Sequence, residues 1–181
     1  MQTASLSVAR AALLIIDWQE RLHPAMAEGA REFGLKQAET LLFLARELGL
    51  PVIATEQYPR GLGHTVPSLQ VAEPFEKTHF SALAEPGFEA VLTGLGRDQL
   101  IVVGMEAHIC VAQTVRDLLA TGRQPFVVAD ACLSRRELDW RMGLERMTAL
   151  GASLVTAEAA AFELLGRAGT PLFKAISQRI K

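Results

Sequence analysis

Short apolar runs recur along the chain, at residues 11–16, 51–54, 100–103, 126–129 and 153–155. They lack the in-out alternation of a half-exposed strand, so they predict strands buried on both faces of a parallel sheet. The segments between them have a different period. Ala38, Leu41, Leu42, Ala45 and Leu48 line one helical face, with Gly49 just past the end and Pro51 beyond, the punctuation of a helix C-terminus. In the same way Val111, Thr114, Val115 and Leu118 predict a helix over 110–120, closed by Gly122. Ser134 and Glu137 have the spacing of a capping box, predicting a helix from there to Leu150. Two further helices are expected, over 86–95 with Pro86 in its first turn and over 158–167.

Alternation of strand and helix implies an α/β fold, a mainly parallel sheet with helices on both faces and right-handed crossovers. A short Pro-containing segment before Lys77 reads as an edge strand. Residues 58–74 are rich in Gly and Pro and exceed the usual connection of about 4 to 6 residues, so a lid or binding loop is expected there. The last stretch, TPLFKAISQRIK, residues 170–181, is expected either to form an arm that packs on a partner subunit or to fray.

The chain's 181 residues suit one domain spanning residues 1–181. Lys and Arg number 18 against 20 Asp and Glu, a net charge of −2 that offers nothing to nucleic acid. The start, MQTASLSVAR, lacks the basic and apolar blocks of a signal peptide, and no apolar run reaches the roughly 18 residues of a membrane span. A cytoplasmic protein with no membrane partner is expected. Two cysteines, Cys110 and Cys132, make neither a disulfide framework nor a zinc motif.

Parallel sheets bind ligands beyond the carboxyl ends of their strands. This places Asp17, Trp18 and Gln19 after the first run, Thr55 to Tyr58 after the second, Gly104 to His108 before Cys110, and Asp130 after the run at 126–129. Cys110 falls at a helix start, where unpaired amides favour a thiolate. Lys77 would lower the thiol pKa further, and Asp17 would accept a proton. Free cysteine is equally at home as a small core residue, and position alone leaves both readings open. His79, His108, His23 and His64 read first as structural or loop residues, Asp130 as a turn or cap residue, Arg135 and Arg136 as a solvated face or an intersubunit ion pair, and Cys132 as a buried thiol.

The segments LLIIDWQ, EKTHFSAL, GMEAHICVAQTVRDLLATG and VVADACLSR together resemble the isochorismatase-like cysteine hydrolases, in the branch of the isochorismatase-domain-containing proteins. The resemblance covers roughly residues 10 to 160. It implies a three-layer α/β/α, Rossmann-like fold with a six-stranded sheet of order 3-2-1-4-5-6. It also implies a catalytic triad of Asp17 as acid/base, Lys77, and Cys110 as nucleophile. A non-proline cis peptide is implied between Met105 and Glu106, with the backbone N–H groups of Glu106 and Cys110 forming an oxyanion hole. Gln19, Gln57 and Phe80 are expected to line the substrate pocket.

Two departures narrow the activity. The family's nicotinamidases carry a metal-binding Asp and histidines after the second strand, where this chain reads TEQYPRGLGH; Glu56 and His64 alone do not supply a zinc site. Isochorismatases acting on a vinyl ether lack the nucleophilic cysteine. The expectation is therefore a hydrolase of small amides or related acyl C–N compounds, through a thioester, with no cofactor and no metal. The alternatives are a thiol-redox protein using Cys110 and Cys132, or a catalytically silent scaffold. Apolar richness and the resemblance both point to a homo-oligomer, a dimer or larger.

Overall fold

A computed structural model describes residues 5–180; Met1–Ala4 and Lys181, including the last residue of the expected arm, lie outside the described residues. Strand β1 (Ala11–Ile16) leads into α1 (Glu28–Leu48), β2 (Val52–Gln57) into α2 (Pro59–Leu62), and β3 (Phe75–Lys77) into α3 (Phe88–Gly94). Strand β4 (Gln99–Met105) is followed by a π turn (Ala107–Val111) that runs into α4 (Ala112–Ala120). Strand β5 (Gln124–Leu133), α5 (Glu137–Ala149), β6 (Ser153–Val155), α6 (Ala157–Leu165) and α7 (Pro171–Ile180) complete the order. All pairings are parallel, and the strands lie in the order 3-2-1-4-5-6.

Successive side chains of a strand point to opposite faces, so the unbroken AALLII run feeds two cores. Ala11, Leu13 and Ile15 join one cluster with Leu41, Leu44, Ala160 and Leu164 of α1 and α6. Ala12, Leu14 and Ile16 join a second with Phe88, Leu92, Val115 and Leu144 of α3, α4 and α5. The result is a three-layer sandwich. Among the described residues no helix is long and apolar enough to cross a membrane.

Several elements differ from their sequence-based bounds. Strand β2 runs on to Gln57, because its polar end, Thr55, Glu56 and Gln57, is buried but finds hydrogen-bond partners. Helix α3 starts at Phe88 behind a left-handed Gly87, leaving Pro86 outside its first turn. Ser134 does not cap α5, whose N-cap is Arg136 with no side-chain bond; the Ser134 hydroxyl instead meets His108. Residues 170–180 are neither an extended arm nor frayed. Thr170 Oγ1 accepts from Phe173 N, and α7 packs Ile176 into the core beside α1 and α6, with Arg179 stacked 4.0 Å over Phe43. The 58–74 segment is tied to residues 18–21 by backbone bonds from Glu20, Arg21 and Val66 to His64, Leu62 and Trp18.

Strand β5 carries the largest irregularity. Val102 pairs with Val127 and Gly104 with Cys132, so five residues of β5 span what two of β4 span. Beyond this bulge the pair Met105 and Leu133 resumes parallel register. Bulges re-aim a strand near its end; here residues 132–135 are carried alongside the turn that bears Cys110.

Candidate active site

Asp17 directly follows β1 with φ of +51°, in the left-handed region. Asp tolerates this conformation better than most residues. Its N–H donates to Thr55 O and its carbonyl accepts from Gln19 N, which holds the turn. One carboxylate oxygen accepts from Thr55 Oγ1 at 2.7 Å and the other from Lys77 Nζ at 2.7 Å. Both side chains are 0% exposed. A buried ion pair needs such additional bonds to offset desolvation. Lys77 has them: its ammonium also donates to Gln57 Oε1 at 2.6 Å, His79 O at 3.3 Å and Phe80 O at 3.2 Å.

Cys110 approaches this pair from the π turn after β4. The charges of Asp17 and Lys77 both act on its thiol, in opposite directions. The three residues, from the ends of β1, β3 and β4, therefore meet in one buried group, although 60 residues separate Asp17 from Lys77. The thiol is not acidified as position suggested. Burial, with the Asp17 charge added, pushes it up to about 12, and Lys77 offsets only part of this. Burial and the neighbouring negative charge both favour the neutral thiol at rest.

The approach of β4 to β1 requires Gly104. At φ of +143°, a Cβ there would lie 2.1 Å from Ile16 O. The Met105–Glu106 peptide is cis. Glu106 O accepts from Ile109 N at 3.0 Å and from Val111 N at 3.3 Å, so Glu106 and Cys110 belong to one closed turn. Helix α5 supports that turn from behind: Gly143 comes so near that a Cβ would sit 2.9 Å from the backbone of Ala107 and His108.

The expected pocket residues are placed differently from one another. Gln19 is fully buried and its amide bonds only to backbone, donating to Gln57 O and Gly63 O and accepting from Gln57 N. Gln57 receives Lys77 and donates to Thr78 O at 2.7 Å. These bonds occupy the amides that were expected to meet substrate, so their visible work is to hold the loop and the lysine. Phe80 is 54% exposed while its carbonyl receives Lys77. Trp18 is in the core.

Glu56 is buried and accepts from Thr65 N and Thr65 Oγ1, with His64 Nδ1 at 3.0 Å. Those bonds hold its carboxyl below the usual range despite burial. Among the described residues no three His, Cys, Asp or Glu side chains converge as a metal would require. His79 meets Glu85 and His108 meets Ser134. Cys132 is fully buried, its thiol near Val102 O and pushed up to about 12 by desolvation. Asp130 lies within β5 and accepts from Ala157 N, capping α6 rather than a turn of its own.

Sequence reasoning missed the partner of Glu106. Its buried carboxylate accepts from the backbone N and the Nε of Arg135, at 3.0 and 3.1 Å, so Arg135, although largely exposed, has a buried partner. The Glu in GMEAH was the available signal, since a carboxylate beside a buried strand end needs a partner.

A model of the isochorismatase domain matches residues 11–159. Isochorismatase domain-containing protein 1 of Salmo salar is 40% identical over 171 residues, 91% of this chain and 59% of that protein, so the chain spans about three-fifths of this relative. Among solved structures, MAR1 ribonuclease from Caenorhabditis elegans superposes with a TM-score of 0.88 at 38% identity, covering 98% of this chain and 92% of that one. YcaC from Pseudomonas aeruginosa, with hexane-2,5-diol and covalent acrylamide, superposes with a TM-score of 0.92 at 26% identity, covering 99% and 93%.

Proposed function

The chain belongs to the isochorismatase family, and from that premise we propose that it is a metal-independent cysteine hydrolase of a small amide or related acyl C–N compound. The observation that carries this reading is the buried Asp17–Lys77 pair at 2.7 Å, whose charges both act on the Cys110 thiol. A buried, fully bonded ion pair is a costly way to stabilise a fold. Its placement against a cysteine gives it a chemical purpose.

The scheme follows from the neutral thiol. As sulfur attacks the carbonyl carbon, the thiol proton passes to Asp17, and Lys77 steadies the charge that remains between them. The carbonyl electron pair moves to oxygen, which the N–H groups of Glu106 and Cys110 receive. Asp17 returns its proton to nitrogen as the C–N bond breaks, leaving a thioester on Cys110. Water, losing a proton to Asp17, attacks the thioester; the thiolate leaves and recovers the proton.

Gln57, which binds Lys77, and the half-exposed Phe80 are the residues we assign to the rim of the substrate site. Gln19 is assigned to holding that rim through its bonds to Gln57 and Gly63. Exposed Leu138 and Met142, one turn apart on α5, support a homo-oligomer, which sedimentation would reveal as a mass of at least two chains.

A panel of primary amides, carbamoyl compounds and imides tests the proposal, with a short RNA included because the Caenorhabditis elegans neighbour is named a ribonuclease. Turnover of a C–N substrate that Cys110→Ala abolishes is the expected result. RNA hydrolysis that survives Cys110→Ala, with no C–N substrate turned over, would contradict it.

A further inference from the structure

Two side chains of the catalytic turn, Glu106 and His108, are bonded to two adjacent residues at the end of β5. Glu106 Oε2 accepts from Arg135 N at 3.0 Å and from Arg135 Nε at 3.1 Å, and His108 Nδ1 shares a hydrogen bond with Ser134 Oγ at 3.0 Å. Glu106 is 5% exposed, and the Arg135 side chain 58%. The pairing is therefore a buried carboxylate gripped by a guanidinium that reaches in from the surface. The bulge in β5 makes the grip reachable, because it brings residues 132–135 level with the turn.

We propose that Glu106 and Arg135 are positioning residues for the oxyanion hole. The inference rests on the hydrolase reading above. The Glu106 backbone N–H is one of the two donors assigned to the hole, and the pinned Oε2 of the same residue is separated from that nitrogen by four atoms, Cα, Cβ, Cγ and Cδ. Two donors on one carboxylate oxygen, one from a rigid backbone and one charged, fix the residue more firmly than an exposed ion pair does. Closely packed Gly143 blocks retreat of the turn on the α5 side. Misplacement of a donor by about 1 Å can cost on the order of 10²-fold in rate, so a clamp on the donor residue bears directly on catalysis.

The chemistry separates this role from general support of the fold. Addition of the Cys110 thiol to acetaldehyde forms an S–C bond and moves the carbonyl pair onto oxygen, which takes up the thiol proton. The hole is used. Alkylation by iodoacetamide displaces iodide from a saturated carbon and develops no oxyanion, so the hole is not used.

Acetaldehyde affinity is read from its protection of Cys110 against iodoacetamide, followed by intact mass, in wild type, Glu106→Gln and Arg135→Ala. Both variants are expected to weaken acetaldehyde binding by about tenfold or more while the alkylation rate stays within about twofold of wild type. Acetaldehyde binding unchanged in both variants, or loss of binding in step with loss of alkylation, overturns the positioning role and leaves the hydrolase reading intact. A wild-type protein that alkylates but takes no acetaldehyde overturns the oxyanion hole, and this inference with it.

Discussion

Replacing Lys77 with Met keeps most of the side-chain volume and removes the ammonium from a fully buried site. Four acceptors lose their donor: Asp17 Oδ2 at 2.7 Å, Gln57 Oε1 at 2.6 Å, His79 O at 3.3 Å and Phe80 O at 3.2 Å. Asp17 is left as a buried carboxylate with Thr55 Oγ1 as its remaining side-chain donor. Removing one member of a buried pair costs about 3–5 kcal/mol. Each kcal/mol shifts Tm by about 2–4 °C in a chain of this size, so Lys77→Met should melt about 6–20 °C lower. Urea denaturation gives the free energy directly. The double variant Asp17→Asn/Lys77→Met should recover about 1–3 kcal/mol of the loss, because the stranded charge is gone. Lys77 also opposes the upward push on the Cys110 thiol, so its removal should slow alkylation at pH 8 as well. A stability loss below about 1 kcal/mol, with no recovery in the double variant, would refute the buried ion pair.

Three further outcomes are expected. Both thiols titrate near 12 in the folded protein against about 8.5 unfolded, so the folded state holds these protons longer. Their stabilisation is complete below about pH 8.5 and is lost as pH rises toward 12; Cys132→Ala should flatten the fall of stability between these limits, and an unchanged slope would contradict the assignment. Glu85 accepts from His79 Nδ1 and N and from Thr78 N, which draws its carboxyl down from 4.5 to about 2. That contribution is present above about pH 4.5 and is lost as pH falls toward 2, so acid unfolding of Glu85→Gln should be shallower than wild type in this window. Gly143→Ala forces a Cβ to 2.9 Å from the backbone of Ala107 and His108 and should cost about 1–3 kcal/mol by denaturation, in the range of overpacked cores.

Much of the fold was legible because the apolar runs are unbroken. AALLII reads as buried on both faces, which predicts a strand inside a parallel sheet; its place between β2 and β4 was legible only through the family resemblance. Strand ends were less legible. Thr55, Glu56 and Gln57 read as post-strand polar residues, yet they sit in β2 because Asp17, Thr65 and Gln19 satisfy them across the sheet. Such long-range partners leave no local signature. Ser134 misled for the same reason: its spacing to Glu137 fits a cap, but His108, 26 residues earlier, takes the hydroxyl.

At the site, the types and order of Asp17, Lys77 and Cys110 were readable through the family resemblance, whereas their electrostatics were not. A helix start and a nearby lysine argue for an acidic thiol. Burial and the Asp17 charge outweigh the lysine, because desolvation acts on the whole group while the lysine is already engaged by its own carboxylate. The bulge in β5 and the Glu106–Arg135 grip depend on how two strands register, which periodicity within either strand does not carry.

The central claim is that Cys110 becomes acylated. With a turned-over C–N substrate in hand, rapid acid quench followed by peptide mass analysis should find the acyl group on the peptide containing Cys110 during turnover, and no adduct in Cys110→Ser. Full turnover by Cys110→Ala would contradict the account.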